Sequence, residues 1–370
     1  MDKKIKVLFF IYYLGSGGAG RTFLNILNNI DRDRFEVILV TCNRHGNYEK
    51  HLKDDVKFIK LKSKRLRNSI FPLSKVIRLE RPDIVFSTIP NYNVIAILSK
   101  ILSFTKTKII VREAALLGGD RKTNIKLRIY GLFYKFATYI VSLSNGVKDN
   151  LVERYRLNKR KIRVIYNPID LAYIESRLSE SIPKKFEHLF SDDKKIIISA
   201  GRLVKEKDHE TLLKAFSIVT EKLNARLIIL GEGPLLDQLM DIRDKLKLKD
   251  VHFLGFQTNP FIFVERSDVF ALTSKREGFG NVITEALAVN TPVVSTFSYP
   301  GVVEILFNGE YEYLIEVGDE NAFAEALIEI LSLSPEALNV LIKKGAERVK
   351  DFEVKKIVKE YENIFTEVVS

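Results

Sequence analysis

The chain has 370 residues, of which 46% are hydrophobic and 29% charged, a composition typical of a soluble globular protein with room for two domains. Its single cysteine, Cys42, excludes an internal disulfide framework and suits a reducing compartment. Residues 1–185 carry 37 Lys and Arg against 16 Asp and Glu, and residues 186–370 carry 22 against 31, so the two halves have net charges of +21 and −9.

The first half of the chain alternates short apolar runs with helical stretches. The apolar runs are "IKVLFFIYY", "FEVILVTC", "VKFIKL", "DIVFST", "KIIVRE", "YIVSLS" and "KIRVIYN". Because these runs are apolar throughout and helices separate them, they predict a parallel sheet that is covered on both faces.

A glycine-rich turn follows the first predicted strand. Gly15, Gly17 and Gly20 match the dinucleotide-binding pattern G-x-G-x-x-G, and the same stretch comes within one residue of a P-loop. A triphosphatase is disfavoured, since Arg21 stands where a P-loop needs lysine. The second strand ends in "VTCNRHG" without an acidic ribose ligand, although Arg44 there leaves an NADP-type dehydrogenase open. Two other interpretations stay open. The turn either offers backbone amides to an anion, or has only the structural role of a tight turn packed against the second domain.

The stretch "NPIDLAYIESRLSESIPKKF" separates the two halves. It contains two prolines and no strand pattern, and the net charge reverses there. We therefore predict two doubly wound, Rossmann-like α/β domains, with residues 1–175 first, a linker at 176–190 and the second domain at 191–351. Ligands of such sheets bind at the carboxyl ends of the strands, which is where we expect the cleft.

The first strand of the second half leads into a group of cations. In "GRLVKEKDHETLLKAF", Gly201 and Arg202 directly follow the strand, and Lys207 lies at the start of a helix. Two cations at such a junction can neutralise a diphosphate. The charged "KEKDHE" also suits a solvated surface loop, so both interpretations stay open at this point.

Two glutamates follow a later strand of the second half. Glu277 and Glu285 are eight residues apart, with a glycine-rich turn and the start of a helix between them. Carboxylates accept hydrogen bonds from vicinal hydroxyls, so a pair that faces one cleft suits sugar binding. Amides at the start of the helix can contact a phosphate. These amides belong to Gly278, Phe279, Gly280 and Asn281.

These motifs together resemble glycosyltransferase family 4, the retaining, nucleotide-sugar-dependent transferases with the GT-B fold. The similar stretches are Gly201–Arg202 with Lys207, "GEGP" from Gly231, "LGF" ending at Phe256, the Glu277/Glu285 pair, "TPVVST", "GSGGAG", "VSLSNGV" and "IYNPID". The resemblance implies two Rossmann-like domains facing a central cleft, and a C-terminal helix over 352–370 that packs back towards the first domain. It also implies that the glycine turn faces the donor diphosphate and the acceptor.

The activity implied by the resemblance is retaining transfer of a hexose or N-acetylhexosamine from a nucleotide diphosphate sugar, with UDP favoured as the nucleotide. The implied acceptor is a lipid-linked or growing glycan of a cell-surface polysaccharide. The implied catalytic residues are Glu277, Arg202 and Lys207. The implied donor contacts are Gly17, Gly18, Gly201, Gly231, Phe256, Gly278, Phe279, Gly280, Asn281 and Glu285.

Other functions are kept as alternatives. One is a nucleotide-sugar epimerase of the same fold or, less favoured, an NAD(P)-dependent oxidoreductase, and another is a non-catalytic binding module. The sequence departs from the family where many members have a histidine near the transferred sugar, since "KIIVREAALLGGD" has Arg112 and Glu113 there. We predict an acceptor-side position for these two residues, with Glu113 as a replacement for the histidine.

No metal or other cofactor is expected, because the sequence lacks a cluster of His, Cys and carboxylate ligands. The D-x-D pattern at Asp31–Asp33 lies in a polar connection remote from the predicted site. Neither a signal peptide nor a membrane-spanning helix is expected, since no apolar run reaches about 18 residues. We expect a cytoplasmic protein on the inner face of the membrane.

The positively charged half is where we expect the acceptor to bind. Its cations are concentrated in residues 61–68 and 120–136, and the second stretch combines them with apolar residues at helical spacing. This pattern predicts either a helix that lies on an anionic membrane or an amphipathic helix that packs on the sheet. The cations predicted to face the membrane are Lys122, Lys126 and Arg128. Because no nucleic-acid-binding motif accompanies the charge, no nucleic acid partner is expected.

Overall fold

The computed structural model describes residues 3–15, 17–306 and 313–370, and the chain divides into two units. Unit 1 comprises Met1–Pro168 and Glu353–Ser370, and unit 2 comprises Ile169–Phe352. The border falls at Pro168, so residues 176–190, which the sequence suggested as a linker, belong to unit 2. Each unit contains a parallel sheet whose strands are connected by helices, which confirms the prediction of two doubly wound α/β domains.

The sheet of unit 1 has seven parallel strands among the described residues. They are β1 (Ile5–Phe10), β2 (Phe35–Thr41), β3 (Lys57–Lys60), β4 (Ile84–Thr88), β5 (Lys108–Glu113), β6 (Tyr139–Ser142) and β7 (Ile162–Val164). The helices between them are α1 (Gly18–Asn29), α2 (Ile70–Glu80), α3 (Pro90–Ser103), α4 (Arg121–Tyr134) and α5 (Asn145–Glu153). The strand order is β3-β2-β1-β4-β5-β6-β7.

The sheet of unit 2 is also parallel. Its strands are β8 (Lys195–Ala200), β9 (Ala225–Leu230), β10 (Val251–Gly255), β11 (Val269–Leu272), β12 (Val293–Thr296) and β13 (Leu314–Ile315). The helices are α6 (Leu171–Leu178), α7 (Lys184–Glu187), α8 (His209–Lys222), α9 (Leu236–Lys245), α10 (Phe261–Glu265), α11 (Asn281–Ala288), α12 (Gly301–Ile305), α13 (Glu320–Leu331) and α14 (Pro335–Val349). The strand order is β10-β9-β8-β11-β12-β13.

The chain ends in a long helix, α15 (Val354–Val369), which belongs to unit 1. Its buried residues recur every three or four positions, which produces one apolar face. From that face the ring of Phe365 packs edge-on against Phe86 of β4 at 5.5 Å and against Phe9 of β1 at 6.2 Å. The first sheet is therefore covered by residues from both ends of the chain.

Each sheet has one point where the strand order reverses. In unit 1 this point lies between β1 and β4, and in unit 2 it lies between β8 and β11. The loops that leave these strands diverge to opposite faces of the sheet, which opens a crevice at the carboxyl edge. The glycine turn follows β1, and the cation-rich loop follows β8.

Candidate functional site

The loops that follow β8 and β11 form the candidate site of unit 2. These strands are hydrogen-bonded neighbours at the reversal point of the sheet. The first loop carries Gly201, Arg202 and Lys207, and the second carries Glu277. Chain direction therefore brings residues about seventy positions apart to one edge, where open parallel sheets bind ligands.

An ion pair between Lys207 and Glu277 joins the two loops. The ammonium group of Lys207 donates a hydrogen bond to Oε1 of Glu277, and the hydroxyl of Ser274 donates to the same oxygen at 2.7 Å. The paired side chains are only 19% and 13% exposed. Within the described residues, Oε2 of Glu277 has no hydrogen-bond partner, so it can accept a hydrogen bond from a ligand hydroxyl.

Hydroxyl side chains hold the backbone of both loops in place. The hydroxyl of Thr273 donates to the carbonyl oxygens of Lys207 and of the residue after it, at 3.2 and 3.0 Å. The carbonyl oxygen of Ser274 accepts from the hydroxyls of Thr296 and Ser298, each at 2.7 Å. Because these hydroxyl-bearing residues are buried, the loop geometry is fixed by the protein before any ligand arrives.

Two of the predicted donor-binding glycines have a steric role. Gly231 has a φ of +132°, and a Cβ atom there would lie 1.9 Å from the carbonyl oxygen of Gly201. Gly201 in turn lies along the side chain of Lys207, since a Cβ atom there would be 3.5 Å from Cε of the lysine. Residue 231 must therefore be glycine if Gly201 and Lys207 are to keep their positions.

The turn between Glu277 and α11 contains the other predicted donor contacts. The ring of Phe279 is buried and packs edge-on against Phe352 at 5.3 Å. Gly280, with a φ of +101°, immediately precedes α11 and has no side chain with which to cap the helix. Gly278 and Asn281 are half-buried on either side, and Glu285 is half-buried further along α11.

Arg202 and Phe256 are exposed, unlike the Lys207–Glu277 pair. Within the described structure, the guanidinium group of Arg202 makes no hydrogen bond or ion pair, although the residue follows Gly201 directly. Phe256 is 46% exposed and follows β10, which lies three strands away from β11 in the sheet. The structure thus brings Gly201, Lys207 and Glu277 together, and the donor contact of Phe256 stays a prediction.

His209 is a buried residue near this site that the sequence analysis missed. It begins α8, is 4% exposed, and has no partner for Nδ1 within the described part of the chain. Burial and then the charge of Lys207 lower its pKa from 6.5 to about 4, so the imidazole is neutral at neutral pH. The charged stretch "KEKDHE" concealed it, because its neighbours are typical of a surface.

The glycine turn of unit 1 leads from β1 into α1. A Cβ atom at Gly20 would lie 2.2 Å from the carbonyl oxygen of Gly15, so the close approach requires glycine. A Cβ atom at Gly17 would meet no described atom within 4 Å, and α1 begins at the exposed Gly18. The turn therefore presents backbone at the carboxyl edge of the sheet. Its remaining member, Ser16, lies outside the described residues.

Arg112, at the end of β5, is fully buried in unit 1. Its guanidinium group donates to the hydroxyl of Tyr361 at 3.1 Å, to the hydroxyl of Thr88 at 3.0 Å, and to Oδ1 of Asn167. These partners join β4, β5 and α15. The acceptor-side position of Arg112 stays a prediction, because its side chain as placed contacts only the interior of unit 1.

Glu113 is the neighbouring residue and is also fully buried. The hydroxyls of Tyr134 and Tyr155 each donate to its Oε2 at 3.0 Å. Burial raises the pKa of Glu113 from 4.5 to about 7, and the two hydrogen bonds offset part of that effect. Glu113 therefore connects β5 with α4 and with the segment after α5, and its role as a replacement for the family histidine stays a prediction.

The helix α4 packs through Leu127, Gly131 and Tyr134 and leaves a second apolar stripe uncovered. The exposed apolar residues are Ile125 (50%), Ile129 (48%), Leu132 (58%) and, just past the helix, Phe136 (65%). Their spacing of four, three and four positions places them along one line of a helix. The exposed cations on α4 include Lys122, Lys126 and Arg128. Packing inside unit 1 therefore accounts for only part of the apolar surface of α4.

The described residues have neither a metal-binding cluster nor a helix that could span a membrane. They contain no group of three or more His, Cys, Asp and Glu side chains arranged to hold a metal ion. None of the described helices combines the length and the apolar character needed to cross a membrane. The D-x-D pattern has a structural explanation, since the carboxylate of Asp31 accepts a hydrogen bond from the backbone N–H of Asp33 at 2.8 Å.

Comparison with known families identifies two matching family models. Residues 16–173 match the model described as Glycosyltransferase Family 4, and residues 180–348 match the model described as Glycosyl transferases group 1. The first range covers most of unit 1 and the second covers most of unit 2. The two matches therefore account for the greater part of the chain.

Two relatives with specific enzyme names align over most of their length. A Campylobacter jejuni enzyme named N-acetylgalactosamine-N,N'-diacetylbacillosaminyl-diphospho-undecaprenol 4-alpha-N-acetylgalactosaminyltransferase is 30% identical, over 96% of this chain and 98% of the relative. The N-acetyl-alpha-D-glucosaminyl L-malate synthase of Bacillus anthracis is 28% identical, over 80% and 77%. The names of both describe enzymes of glycosyl compounds, but with different acceptors.

Solved structures with the same fold include that of Anabaena Alr3699/HepE in complex with UDP and glucose. It superposes with a TM-score of 0.82 at 19% identity, covering 98% of this chain and 100% of the other. A glycosyltransferase from Rickettsia africae gives a TM-score of 0.82 at 19% identity, covering 100% and 99%. At such identities the likeness shows the fold alone, and it confirms the GT-B fold expected from the sequence.

Proposed function

This chain belongs to the family 4 glycosyltransferases, and we propose that it transfers a hexose or N-acetylhexosamine, with retention, from a UDP-sugar to a lipid-linked or growing glycan of a cell-surface polysaccharide. The observation that carries the proposal is the Lys207–Glu277 pair at the reversal point of the second sheet, with one carboxylate oxygen left to accept from a ligand. No cofactor is proposed beyond the nucleotide sugar itself.

Two cations are proposed to stabilise the departing diphosphate. As the bond between the sugar and the diphosphate breaks, negative charge accumulates on the diphosphate oxygens, and a cation fixed beside them lowers the barrier. Lys207 is held in position by Glu277, and Arg202 follows Gly201 with no competing partner among the described residues. The amides of Gly278–Asn281 are proposed as further donors to the phosphates.

The two glutamates are proposed to bind different parts of the donor. Oε2 of Glu277 is available in the loop above the sheet, where the transferred sugar would lie, and a sugar hydroxyl can donate to it. Glu285 lies eight residues further along the chain, on α11, and we assign it to the ribose of the nucleotide. The neutral imidazole of His209 adds no charge beside Lys207.

UDP is proposed as the nucleotide because the HepE structure of the same fold was solved with UDP. Retention is proposed from the resemblance to the family. The names of the two relatives favour chemistry on glycosyl compounds over an NAD(P)-dependent oxidoreductase, and transfer over epimerisation.

The acceptor is proposed to be lipid-linked. The C. jejuni relative is named for an acceptor saccharide joined to diphospho-undecaprenol, and it aligns over nearly the whole of this chain. The excess positive charge of the first half suits an acceptor that carries phosphate. We further propose that α4 rests on the anionic inner face of the cell membrane, because its uncovered apolar stripe lies beside exposed cations.

The test is an assay of the purified protein with UDP-, GDP- and dTDP-linked hexoses and N-acetylhexosamines. Released nucleotide diphosphate is measured first, and transfer to polyprenyl-diphosphate-linked saccharides is then followed by mass spectrometry. The anomeric configuration of the product is determined by NMR. Release of UDP with a retained configuration supports the proposal. An inverted product, a strict preference for another nucleotide, or an epimerised donor contradicts the corresponding part of it.

A further inference from the structure

A cavity of about 430 Å³ opens in unit 1 between the start of α3, the helix α4 and residues 65–67. The apolar residues of its lining, here called the apolar wall, are Leu66, Val94 and Ile95. The lining also includes Arg65, Arg67 and Tyr130 of α4. The loop with the arginines follows β3, and α3 follows β4, so the cavity lies towards the carboxyl edge of the sheet, where the glycine turn also lies.

The arginines of this cavity have no charge partner. Both are exposed, and within the described residues neither guanidinium group makes a hydrogen bond or an ion pair. No acidic residue lines the cavity. The ammonium group of Lys126 lies 5.3 Å from the ring centre of Tyr130, which adds a third positive charge at the edge. Guanidinium groups without carboxylate partners favour phosphate, whose oxygens match their paired N–H donors.

The cavity is held in shape by contacts between α3 and α4. The hydroxyl of Tyr130 donates a hydrogen bond to Oδ1 of Asn91, in the first turn of α3. Tyr130 follows Ile129, which belongs to the uncovered apolar stripe of α4. A ligand with a charged group and an apolar chain could therefore place the charge against the arginines and direct the chain along Leu66, Val94 and Ile95 towards that stripe.

We propose that this cavity binds the diphosphate group of the lipid-linked acceptor. Arg65 and Arg67 contact the phosphate oxygens, and the apolar wall contacts the first carbons of the lipid chain. The inference rests on the proposed function, because it assumes a lipid-linked acceptor. It goes beyond it by giving the diphosphate its own binding residues, distinct from the donor site in unit 2.

The experiment compares two double variants. Arg65→Gln/Arg67→Gln removes the two charges in the cavity, and Lys62→Gln/Lys64→Gln removes two exposed charges from the same segment outside it. Binding of farnesyl diphosphate and of inorganic pyrophosphate is measured by calorimetry. We expect the arginine variant to bind farnesyl diphosphate at least about tenfold more weakly, because it loses one or two charge-assisted hydrogen bonds to the diphosphate. The lysine variant should bind like the wild type.

A kinetic assay with a polyprenyl-diphosphate saccharide gives the second measurement. The arginine variant should raise the KM for this acceptor about tenfold, while hydrolysis of the donor without acceptor is unchanged. Equal binding of farnesyl diphosphate by both variants overturns the inference. The inference is also overturned if the arginine substitutions weaken binding to phosphatidylglycerol vesicles as much as binding to farnesyl diphosphate, because the arginines then recognise any lipid phosphate. Absence of transfer from any of the nucleotide sugars by the wild type instead contradicts the proposed function, and leaves the calorimetric result as a separate test of the cavity.

Discussion

The two units share one fold but use their buried polar residues differently. In unit 1, Glu113 is fully buried and accepts two tyrosine hydroxyls, and Arg112 beside it donates to three partners. In unit 2, Glu277 keeps an oxygen without a partner among the described residues, while Lys207 holds the other. A polar group that is fully paired stabilises the fold, whereas one with a remaining hydrogen-bonding position can bind a ligand. The two sites therefore differ in how many hydrogen-bonding positions of their polar groups lack a partner, and not in the types of residue.

The strongest test of this comparison is the removal of the cations in unit 2. Arg202→Ala and Lys207→Ala should each lower transferase efficiency by a factor on the order of 10² to 10³, since each removes charge stabilisation of the departing diphosphate. Steady-state kinetics with saturating donor measures the effect. Lys205→Ala is the matched control, because Lys205 is exposed in the same loop. Turnover near that of the wild type in either alanine variant would show that the substituted residue does not act in the site.

A second test addresses the fully paired site in unit 1. The pKa of Glu113 is raised from 4.5 to about 7, so the folded state holds a proton that the unfolded state releases. Its contribution to stability is therefore present below about pH 4.5 and is lost as the pH rises through 7, by about 3 kcal/mol in total. Glu113→Gln keeps a neutral side chain and should remove this slope.

Urea unfolding at pH 5, 6, 7 and 8 measures that difference. The free energy of unfolding of the wild type should fall across this range relative to that of the Gln variant. Donor hydrolysis by the same variant separates two roles of Glu113, since it changes little if the residue is only structural and falls if the residue takes the predicted place of the family histidine. Identical pH dependence in the two proteins would show that Glu113 is ionised in the folded state across the range.

A third test separates the roles of the units at a membrane. Reversal of Lys122, Lys126 and Arg128 to glutamate should detach the protein from vesicles that contain anionic lipid, since each basic residue near such a surface contributes about 1 kcal/mol. Donor hydrolysis should persist, because these residues belong to unit 1. Co-sedimentation measures binding, which should weaken with salt as the Debye length falls from about 10 Å at 0.1 M to about 3 Å at 1 M. Unchanged sedimentation of the triple variant would argue against α4 as the contact.

The smallest expected effects distinguish the two glutamates of unit 2. Glu277→Gln should lower turnover more than donor binding, by about tenfold or more, because its carboxylate would contact the transferred sugar. Glu285→Gln should chiefly weaken donor binding through the ribose. The affinity for free UDP, measured by calorimetry, separates the two roles. An equal loss of UDP affinity in both variants would show that they share one role.

Local patterns in the sequence predicted the two parallel sheets and the loops that carry Lys207 and Glu277. This worked because strands that alternate with helices fix which loops emerge at the carboxyl edge. Contacts between distant parts of the chain could not be predicted in this way. Arg112 is paired with Tyr361, 249 residues further along, so no local pattern showed that it would point inward.

The same limit explains the other differences. His209 lies among charged neighbours, and only the packing of α8 shows that its ring is buried. Arg65 and Arg67 belong to a stretch whose charge was noted, but the cavity beside them depends on α3 and α4, which come later in the chain. The sequence left two interpretations of α4 open, and its uncovered apolar stripe is visible only once Leu127 and Tyr134 are seen to be the buried residues of the helix.

The position of α15 has a consequence for the synthesis of the protein. Unit 2 is a continuous stretch of chain, whereas unit 1 needs both its first 168 residues and its last 18. During translation, unit 2 can complete its core while the apolar surface around Phe9 and Phe86 still lacks the ring of Phe365. Since domains generally fold as units during synthesis, the first half of this chain to be made is the last to be finished. A chain that ends at residue 352 would contain a complete unit 2 joined to a unit 1 whose core lacks the residues of α15.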